Sequence, residues 1–440
     1  MSKHYKFKYK KPDELLEAAR ELKLDLPFST NIDILLKPST VAGIEIPNRL
    51  VTQPMEGFDG SAQGAPGELT YRRYRRFASG GSGMIWFEAT SIDPDGRSNP
   101  HQLMLTPDTL DDFTRLVIET RLAATEKFGA AHRPLLVIQL THSGRYADPN
   151  LNHHKVFAPN PFLDPIDSRP EIWKDEELEV IGEKFQKAIL LAEKAGFDAV
   201  DIKVSHGYLL HEILGGFTRT DSRFGGSFNN RLALIRRLAD TPTKLIKAIR
   251  LNVTDMIPHP FGFGMNPDGI PEPDLTEPLQ MIRELKDRVP LWNLTAGIPY
   301  YNPHVNRPFD RPLKGEKLPA EHPLEGVARL IRLTGMIQKE FPGLSIVGSG
   351  YSWLRQFYPN IGAGVISNGM ASLIGVGRNA IAYPDAPRDL MEKGSLDPKK
   401  VCIACSRCTE FMRYGEPSGC ATRDLEIYAK EYKKNIKFRG

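Results

Sequence analysis

The residues of this chain best suited to metal chemistry are its cysteines, which all lie in one short stretch near the C-terminus. The four are Cys402, Cys405, Cys408 and Cys420, in the spacing C-x2-C-x2-C-x11-C. Two-residue gaps let neighbouring thiolates converge on one centre, and the fourth completes the set. Iron–sulfur clusters are held by four cysteine thiolates, so this spacing favours a 4Fe-4S cluster. Zinc sites usually pair their cysteines two and two, and an all-thiolate zinc site that fixes the C-terminal tail is the alternative.

The composition restricts where such a site would work. The 440 residues include 58 Lys and Arg and 54 Asp and Glu, a net charge of +4 that gives no basic footprint for nucleic acid. No run of about 18 apolar residues predicts a membrane span, and the basic N-terminus lacks the apolar run of a signal peptide. We therefore expect a cytoplasmic protein, in which clustered thiols bind metal more often than they form disulfides.

A cluster carries one electron at a time, so a redox partner is expected in the same chain. From residue 30 onward, apolar runs alternate with amphipathic helical patterns. The runs cover residues 49–55, 83–89, 134–140, 197–204, 247–253, 290–296, 344–350 and 371–377. Eight buried strands that alternate with helices predict an α/β protein with a (β/α)8 TIM barrel. A doubly wound sheet is the competing fold, but no GxGxxG motif follows the first strand to support it.

Polar residues follow most of these runs. They occur in the stretches QPMEG, FEATS, QLTHSGR, KVSHGY, RLNVTD, TAGIPYYNPH and GSGYS. Because the chemistry of a TIM barrel lies at the C-terminal ends of its strands, the seven stretches predict a single site at that end. The fold alone does not identify the reaction.

Two stretches carry a family resemblance. VIQLTHSGR (137–145) and HGYLLHEILGGFTRTDSRFGGSFNNR (206–231) resemble the old yellow enzyme family of FMN-dependent NADH:flavin oxidoreductases. The cysteines narrow this resemblance to the iron–sulfur branch that contains 2,4-dienoyl-CoA reductase and trimethylamine dehydrogenase. It extends from about Ile34 to Asp424. In that branch the barrel is followed by dinucleotide-binding domains; because 20 residues follow Cys420, we expect those domains to be absent.

The resemblance implies three parts of the chain. Residues 1–30 are an N-terminal helical extension, 31–395 an FMN-binding barrel, and 396–440 a cysteine-rich segment and tail that binds the 4Fe-4S cluster. The pattern over 12–24 predicts an amphipathic helix that packs across the bottom of the barrel or against another subunit.

The resemblance also implies residues that bind FMN. Gln139 matches the glutamine that binds the flavin pyrimidine edge, and Arg250 the arginine that faces N1 and the C2 carbonyl. Pro54 and Met55 match the backbone beside the flavin ring, whereas Glu88 is expected either to touch the flavin or to form a salt bridge. A phosphate site after the seventh and eighth strands is typical of these barrels. Its expected members are Gly348, Gly350, Gly377 and Arg378.

The catalytic residues implied by the resemblance are Tyr208, His206 and Lys203. Tyr208 matches the tyrosine that gives a proton to the substrate α-carbon, a task suited to a weak acid. Lys203 and His206 occupy the positions of a pair that grips the substrate carbonyl, although lysine departs from the usual histidine. His142 and Arg145 receive no catalytic role. The loop 297–312, with His304 and Arg307, is expected either to wall the substrate site or only to shape the surface.

These residues predict an FMN- and 4Fe-4S-dependent ene-reductase that reduces a C=C bond conjugated to a carbonyl. An amine dehydrogenase or demethylase of the trimethylamine dehydrogenase type is one alternative. A non-catalytic electron-transfer subunit is a second, and a zinc-stapled barrel without flavin a third. Electrons would come from NADH or NADPH, or from a separate electron-donor protein through the cluster. We expect a homo-oligomer, a small unsaturated carbonyl compound as the substrate, and neither nucleic acid nor membrane as a partner.

Overall fold

A closed barrel of eight parallel strands forms the body of the protein. The computed structural model describes residues 5–147, 155–313 and 315–436. The strands are β1 (Leu50–Thr52), β2 (Met84–Ser91), β3 (Leu135–Thr141), β4 (Ala199–Val204), β5 (Ile246–Asn252), β6 (Leu291–Thr295), β7 (Ser345–Gly348) and β8 (Leu373–Val376). They follow one another around the barrel in sequence order, and β8 pairs with β1 to close it. Each predicted strand overlaps an observed one, so the predicted (β/α)8 barrel is confirmed.

Helices surround the barrel and return the chain from one strand to the next. They are α1 (Glu68–Ser79), α2 (Leu110–Phe128), α3 (Asp175–Lys194), α4 (Phe228–Ala239), α5 (Thr276–Leu285), α6 (Pro323–Glu340), α7 (Tyr358–Ser367) and α8 (Ala386–Lys393). Short helices follow the C-terminal ends of three strands, at Leu209–Leu214, Pro303–Asn306 and Arg378–Ala382. No helix within the described residues is both long and apolar enough to cross a membrane.

The barrel interior changes from apolar to polar along its strands. Alternate residues of a strand face the same side, and the lower interior positions form an apolar cluster that includes Val137, Ala199 and Ala248. A hairpin of Ser39–Val41 and Ile44–Ile46 joins this cluster and closes the bottom of the barrel. The interior positions further along the strands carry polar side chains, and the site is therefore built at the C-terminal end.

The N-terminal helix spans Pro12–Glu21, within the predicted 12–24. Its predicted packing across the barrel bottom or against another subunit stays a prediction. Phe7, just before the helix, packs edge-on against Trp353, and its amide donates to Asp310 at 3.2 Å. Both partners follow strand ends at the opposite side of the barrel. The predicted extension and tail also include residues 1–4 and 437–440, which lie outside the described residues.

The cysteine-rich segment is attached to the mouth of the barrel. Its Ser418 amide donates to the Gly57 carbonyl at 2.7 Å, next to β1. The Ser406 hydroxyl donates to Arg311 O at 2.7 Å in the loop after β6. An ion pair of 2.7 Å joins Asp424 to Arg72 on α1. The segment therefore lies against the same end of the barrel as the polar interior.

Candidate active site

The floor of the site is a layer of buried polar side chains that point into the barrel. The Asp201 carboxylate on β4 accepts Trp86 Nε1 at 2.8 Å and Gln139 Nε2 at 2.6 Å through one oxygen, and the Arg250 amide at 2.7 Å through the other. Gln53, just after β1, accepts the Arg250 Nη1 at 3.0 Å. Gln139 and Arg250 are thus brought together as expected, through Asp201 between them.

The electrostatics of this layer follow from its burial. Burial raises the pKa of Asp201 to about 6, although its hydrogen bonds and the charge of Arg250 oppose the shift. Burial also lowers the pKa of Arg250 to about 10, although Asp201 opposes that shift. A buried charge is costly unless it is paired and hydrogen-bonded. The guanidinium of Arg250 therefore does not serve stability alone.

The Arg250 side chain fits an anionic or carbonyl-bearing ring system. Its Nη1 is bound to Gln53, but its buried Nε has no partner among the described residues. An unpaired buried donor costs about 1–3 kcal/mol, and a ligand acceptor would remove that cost. The floor therefore fits the pyrimidine edge of a flavin, which carries carbonyl acceptors and gains negative charge on reduction.

The expected phosphate residues come together after β7 and β8. Gly350 has φ of 92° and lies against α6, where a Cβ would meet Leu330 at 2.4 Å, so only glycine suits this turn. Arg378 is 5% exposed; its Nη2 donates to Pro308 O at 2.6 Å, while its buried Nη1 has no partner among the described residues. A Cβ on Gly348 would meet the Tyr351 hydroxyl at 2.5 Å. A free guanidinium donor beside narrow glycine turns fits a phosphate group.

Pro54 and Met55 lie between the floor and the phosphate residues. A Cβ on Gly377 would meet the Met55 Sδ at 2.8 Å, so the chain after β1 runs directly against the end of β8. The backbone N–H of Gln53, one residue before Pro54, donates to Val376 O at 3.0 Å. This position suits the predicted contact with a flavin ring.

Tyr208 is presented by a tight turn at the end of β4. His206 and Gly207 both adopt left-handed backbone, with φ of 67° and 76°. A Cβ on Gly207 would approach Tyr146 at 2.8 Å, so glycine allows both the turn and the close contact. A left-handed non-glycine residue such as His206 is strained, and such strain clusters at functional sites.

The Tyr208 hydroxyl has oxygen partners in the mouth of the barrel, among them the Ser98 side chain. It donates to Glu56 Oε1 at 3.2 Å and lies 3.4 Å from the Tyr300 hydroxyl. The Lys203 ammonium lies 3.4 Å from the centroid of the Tyr208 ring, a cation–π contact. Tyr300 stacks on Tyr146 at 3.9 Å, so the loop after β6 contributes to the site. Lys203 and Tyr208 are brought together as expected, with Glu56 and Tyr300 as additional members.

Burial shifts the pKa values of Glu56, Lys203 and Tyr208 in the directions that favour their neutral forms. It raises the pKa of Glu56, although the Lys203 charge and the Tyr208 hydrogen bond oppose the shift. It lowers the pKa of Lys203 to about 7, although Glu56 opposes that shift. Burial, then the charge of Glu56, raises the pKa of Tyr208 well above its ordinary value. Strong shifts that cluster in a cleft are typical of catalytic sites.

His206 points away from Tyr208, toward the loop after β6. Its Nε2 lies 3.1 Å from Asn306 Nδ2, which also donates to Thr295 Oγ1 at 2.8 Å. Burial and the charge of Arg250 lower the pKa of His206 well below its ordinary value. The ring is therefore neutral at pH 7, and its Nε2 accepts from Asn306.

Glu88 does not join the floor of the site. Its Oε1 accepts Arg73 Nη1 at 2.5 Å, and its Oε2 accepts the Gly57 amide at 2.6 Å. Arg73 lies on α1, so the carboxylate points out of the barrel. Of the two predicted roles, this geometry favours the salt bridge over the flavin contact. It gives no support to Glu88 as a cofactor-binding residue.

His142 and Arg145, which both follow the end of β3, also have hydrogen-bond partners within the protein. Arg145 Nη1 and Nη2 donate to Asp164 at 2.6 Å and Glu212 at 2.7 Å. His142 Nδ1 accepts the Gly144 amide at 3.1 Å. In the loop 297–312, His304 lies 3.7 Å from Glu321, and the buried Arg307 Nη1 has no partner among the described residues.

The four cysteines line one small cavity, together with Arg378. Burial raises the pKa of Cys402 to about 11 and of Cys420 to about 12, while the Arg378 charge opposes the shift of Cys402. Across residues 5–147, 155–313 and 315–436, no group of three or more His, Cys, Asp or Glu side chains is arranged to hold a metal ion. The thiols therefore share a cavity, but their side chains do not form a preorganised metal site.

Comparison with known proteins decides the family. The family model for NADH:flavin oxidoreductases and NADH oxidases matches residues 34–257. This chain belongs to that family. The match covers β1 to β5 and therefore the floor, the Tyr208 turn and Glu56.

Two curated relatives agree with this membership. The NADPH dehydrogenase of Halalkalibacterium halodurans is 32% identical over 207 residues, 46% of this chain and 58% of that protein. The NADH oxidase of Thermoanaerobacter brockii is 25% identical over 383 residues, 86% of this chain and 53% of that protein. The chain spans little more than half the length of these two relatives.

Solved structures share the fold. A 2-naphthoyl-CoA reductase in complex with 2-naphthoyl-CoA has a TM-score of 0.70 at 18% identity, covering 89% of this chain and 57% of that one. The histamine dehydrogenase of Rhizobium sp. 4-9 has a TM-score of 0.65 at 19% identity, covering 89% of this chain and 52% of that one. At these identities the similarity shows the fold alone.

The sequence reading missed several residues of the site. They are Gln53, Glu56, Asp201, Tyr300 and Asn293 on β6, whose Nδ2 donates to Gln53 Oε1 at 2.7 Å. Asp201 lies two residues before Lys203, so the alternation of β4 places both in the barrel and could have indicated it. Glu56 follows Met55 in the stretch QPMEG, but its contact with Tyr208 joins residues 152 positions apart, and no local pattern shows such a contact.

Proposed function

We propose that this protein is an FMN- and 4Fe-4S-dependent ene-reductase that reduces a C=C bond conjugated to a carbonyl. The observation that carries the proposal is the Tyr208 hydroxyl, held by a strained turn in the mouth of the barrel beside a polar floor that fits a flavin. The names of the curated relatives support NADPH or NADH as the source of electrons.

The residues of the floor would hold the cofactor. Arg250 would donate to the pyrimidine edge, with Gln53 and Gln139 fixing the layer around it. Pro54 and Met55 would contact the ring, and Arg378 would bind the phosphate between the glycine turns. When bound and reduced by the electron donor, FMN would supply a hydride from N5 to the substrate β-carbon.

The part of the reaction assigned to this chain is the proton. A phenol is a weak acid that gives up its proton only as carbanion character develops at the α-carbon. Tyr208 is 3% exposed, so bulk water is kept from competing as the donor. Lys203, over the face of the ring, stabilises the negative charge that forms on the phenol oxygen as the proton leaves.

The cysteines support a cluster as the entry point for electrons. Cys402, Cys405, Cys408 and Cys420 are the four thiolates such a cluster requires, and they line one cavity. A cluster here would accept single electrons from a separate donor protein and pass them to FMN. A direct hydride from NADH or NADPH is the other route.

The aromatic residues bear on the amine dehydrogenase alternative. Three tyrosines in a mouth suggest a cage for a cationic amine, because aromatic faces attract cations. However, Lys203 already covers the Tyr208 face, Arg413 lies 5.4 Å from the Tyr300 centroid, and Tyr300 and Tyr146 cover each other. The aromatic faces are therefore already covered, which leaves less of them for a cationic amine and favours a neutral or anionic carbonyl compound.

Anaerobic purification followed by single-turnover assay tests the proposal. Wild-type protein should carry FMN and iron and, once reduced, should transfer electrons to a member of an enone and enoate panel. Tyr208→Phe should keep flavin reduction but lose about 100-fold or more in enone reduction, the scale of general acid catalysis. Tyr71→Phe, whose hydroxyl donates to Asp112 O on the outside of the barrel, is the control.

Three outcomes contradict the proposal. Unchanged turnover in Tyr208→Phe removes the proton donor. Flavin-containing protein that reduces no enone but oxidises an amine supports the amine dehydrogenase, whereas reduction without turnover of either class supports the electron-transfer subunit.

A further inference from the structure

Tyr208 must recover a proton after each turnover, and the structure restricts the source. The side chain is 3% exposed. Its hydroxyl contacts Glu56 Oε1 at 3.2 Å and the Tyr300 hydroxyl at 3.4 Å, and the Ser98 side chain also interacts with it. Ser98 and Tyr300 carry hydroxyl groups, so Glu56 is the only carboxyl among these three neighbours.

Glu56 lies in the segment that follows β1, with both carboxyl oxygens in hydrogen-bond contact. Its Oε2 accepts the Ser98 hydroxyl at 3.3 Å, while its Oε1 faces Tyr208. The charged and titratable groups that face it are Lys203 from β4, Tyr208 from the following turn and Tyr300 from the loop after β6. Glu88 faces it more weakly from the neighbouring strand. Burial disfavours the charged forms of both Glu56 and Lys203, although the charge of each opposes the shift of the other.

We propose that Glu56 holds the proton that recharges Tyr208, as a reservoir built into the mouth of the barrel. This inference rests on the proposed ene-reductase function. Glu56 touches Tyr208 rather than the substrate, so it is a positioning and relay residue and not the acid of the reaction.

The proton count is balanced over one turnover. With reduced FMN bound, which would supply a hydride to the β-carbon, Tyr208 would give its proton to the α-carbon, so that the C=C bond would become a C–C single bond and Tyr208 a phenolate. The phenolate then takes the proton of the Glu56 carboxyl across their 3.2 Å contact, and the hydrogen bond reverses its donor. The Glu56 carboxylate regains a proton from solvent, and Lys203 balances its charge in the interval.

Acidity favours Glu56 over Tyr300 as the source. The pKa of Tyr300 is raised to about 12 by burial and by the charge of Glu56, so it is a poor acid toward a neighbouring phenolate. A carboxyl remains a stronger acid than a phenol even when its pKa is raised. Transfer from Glu56 to the Tyr208 phenolate is therefore downhill.

The test separates the first turnover from later ones. Glu56→Gln keeps the shape of the side chain but has no proton to return. In this variant the first reoxidation of reduced enzyme by an enone should stay within about twofold of wild type, because Tyr208 starts protonated. Steady-state turnover should fall by about 100-fold, the scale of a lost general acid. Glu56→Asp should recover part of the loss.

The control is Glu193→Gln, the same change near the end of α3, where the carboxylate accepts Thr243 Oγ1 at 2.6 Å on the outside of the barrel. It should match wild type in both rates. Equal slowing of the first and later turnovers in Glu56→Gln means a structural role, and no slowing means another source. Either result overturns the inference.

A readout independent of turnover separates this inference from the proposed function. Infrared spectra of the oxidised protein at neutral pH should contain a protonated-carboxyl band that disappears in Glu56→Gln and remains in Glu193→Gln. If wild type reduces no enone, the proposed function fails, and this band still reports whether Glu56 holds a proton. Absence of the band overturns the reservoir whatever the substrate.

Discussion

The carboxylate of Asp201 gives the most quantitative prediction of the site. It lies fully buried on β4 and accepts three donors, from Trp86, Gln139 and the Arg250 amide. Asp201→Asn keeps the shape and removes the charge. At least one of the three donors then faces an amide NH2 group, which costs about 1–3 kcal/mol for an unmade buried hydrogen bond at every pH.

The charge adds a contribution that depends on pH. Burial raises the pKa of Asp201 from 3.8 to about 6, and each pKa unit corresponds to about 1.4 kcal/mol. Because the folded pKa lies above the unfolded one, this carboxyl contributes its stability fully below about pH 4 and loses it as pH rises through about 6. The full effect is about 3 kcal/mol, of which about 2 kcal/mol falls between about pH 4.5 and 7.5.

Urea unfolding of flavin-free protein at both pH values measures this effect. The free energy of unfolding of wild type minus that of Asp201→Asn should decrease by about 2 kcal/mol from about pH 4.5 to about pH 7.5. All other titrating groups are shared by the two proteins and cancel in the difference. A difference that is flat, or that increases with pH, would show that folding does not raise the pKa of Asp201.

Two further predictions concern the cofactor sites. Arg378→Gln should weaken FMN binding about 10- to 100-fold, since a hydrogen bond to a charged group contributes about 1.5–3 kcal/mol. Fluorescence titration should show no change for riboflavin, which lacks the phosphate; an equal loss for both ligands would place Arg378 elsewhere. Cys420→Ser should lose most of the iron and sulfide but keep FMN, as measured by metal analysis and absorption; full retention of iron would exclude Cys420 as a ligand.

The barrel could be predicted from the sequence because each strand is a short apolar run bounded by polar residues. The run at 134–140, for example, corresponds to Leu135–Thr141 within one residue at each end. Burial on both faces produces such runs in parallel sheets. Gln139 and Arg250 could be placed for the same reason, since they end or interrupt a run where a buried polar group requires a partner.

Glu88 shows where the alternation of residues along a strand does not predict the direction of a side chain. Trp86 points inward to Asp201, so strict alternation would also place Glu88 inside the barrel. The pairing of β2 with β3 shifts between Trp86 and Ala89. This irregularity breaks the alternation, and Glu88 turns outward to Arg73 on α1. A one-residue irregularity leaves no mark in composition, so the local pattern could not exclude the inward position.

The attachment of the cysteine segment bears on how a cluster variant is interpreted. Ser418 holds the Gly57 carbonyl beside Glu56, and Arg413 lies over the Tyr300 ring, so this segment also supports the two partners of the Tyr208 hydroxyl. Loss of the segment's order would therefore slow proton return as well as electron supply. The two effects separate when FMN is reduced chemically in Cys420→Ser. Repeated turnover of enone at the wild-type rate then assigns the defect to electron supply, whereas a normal first turnover followed by slow later ones means that the segment also sets the geometry of Glu56 and Tyr300.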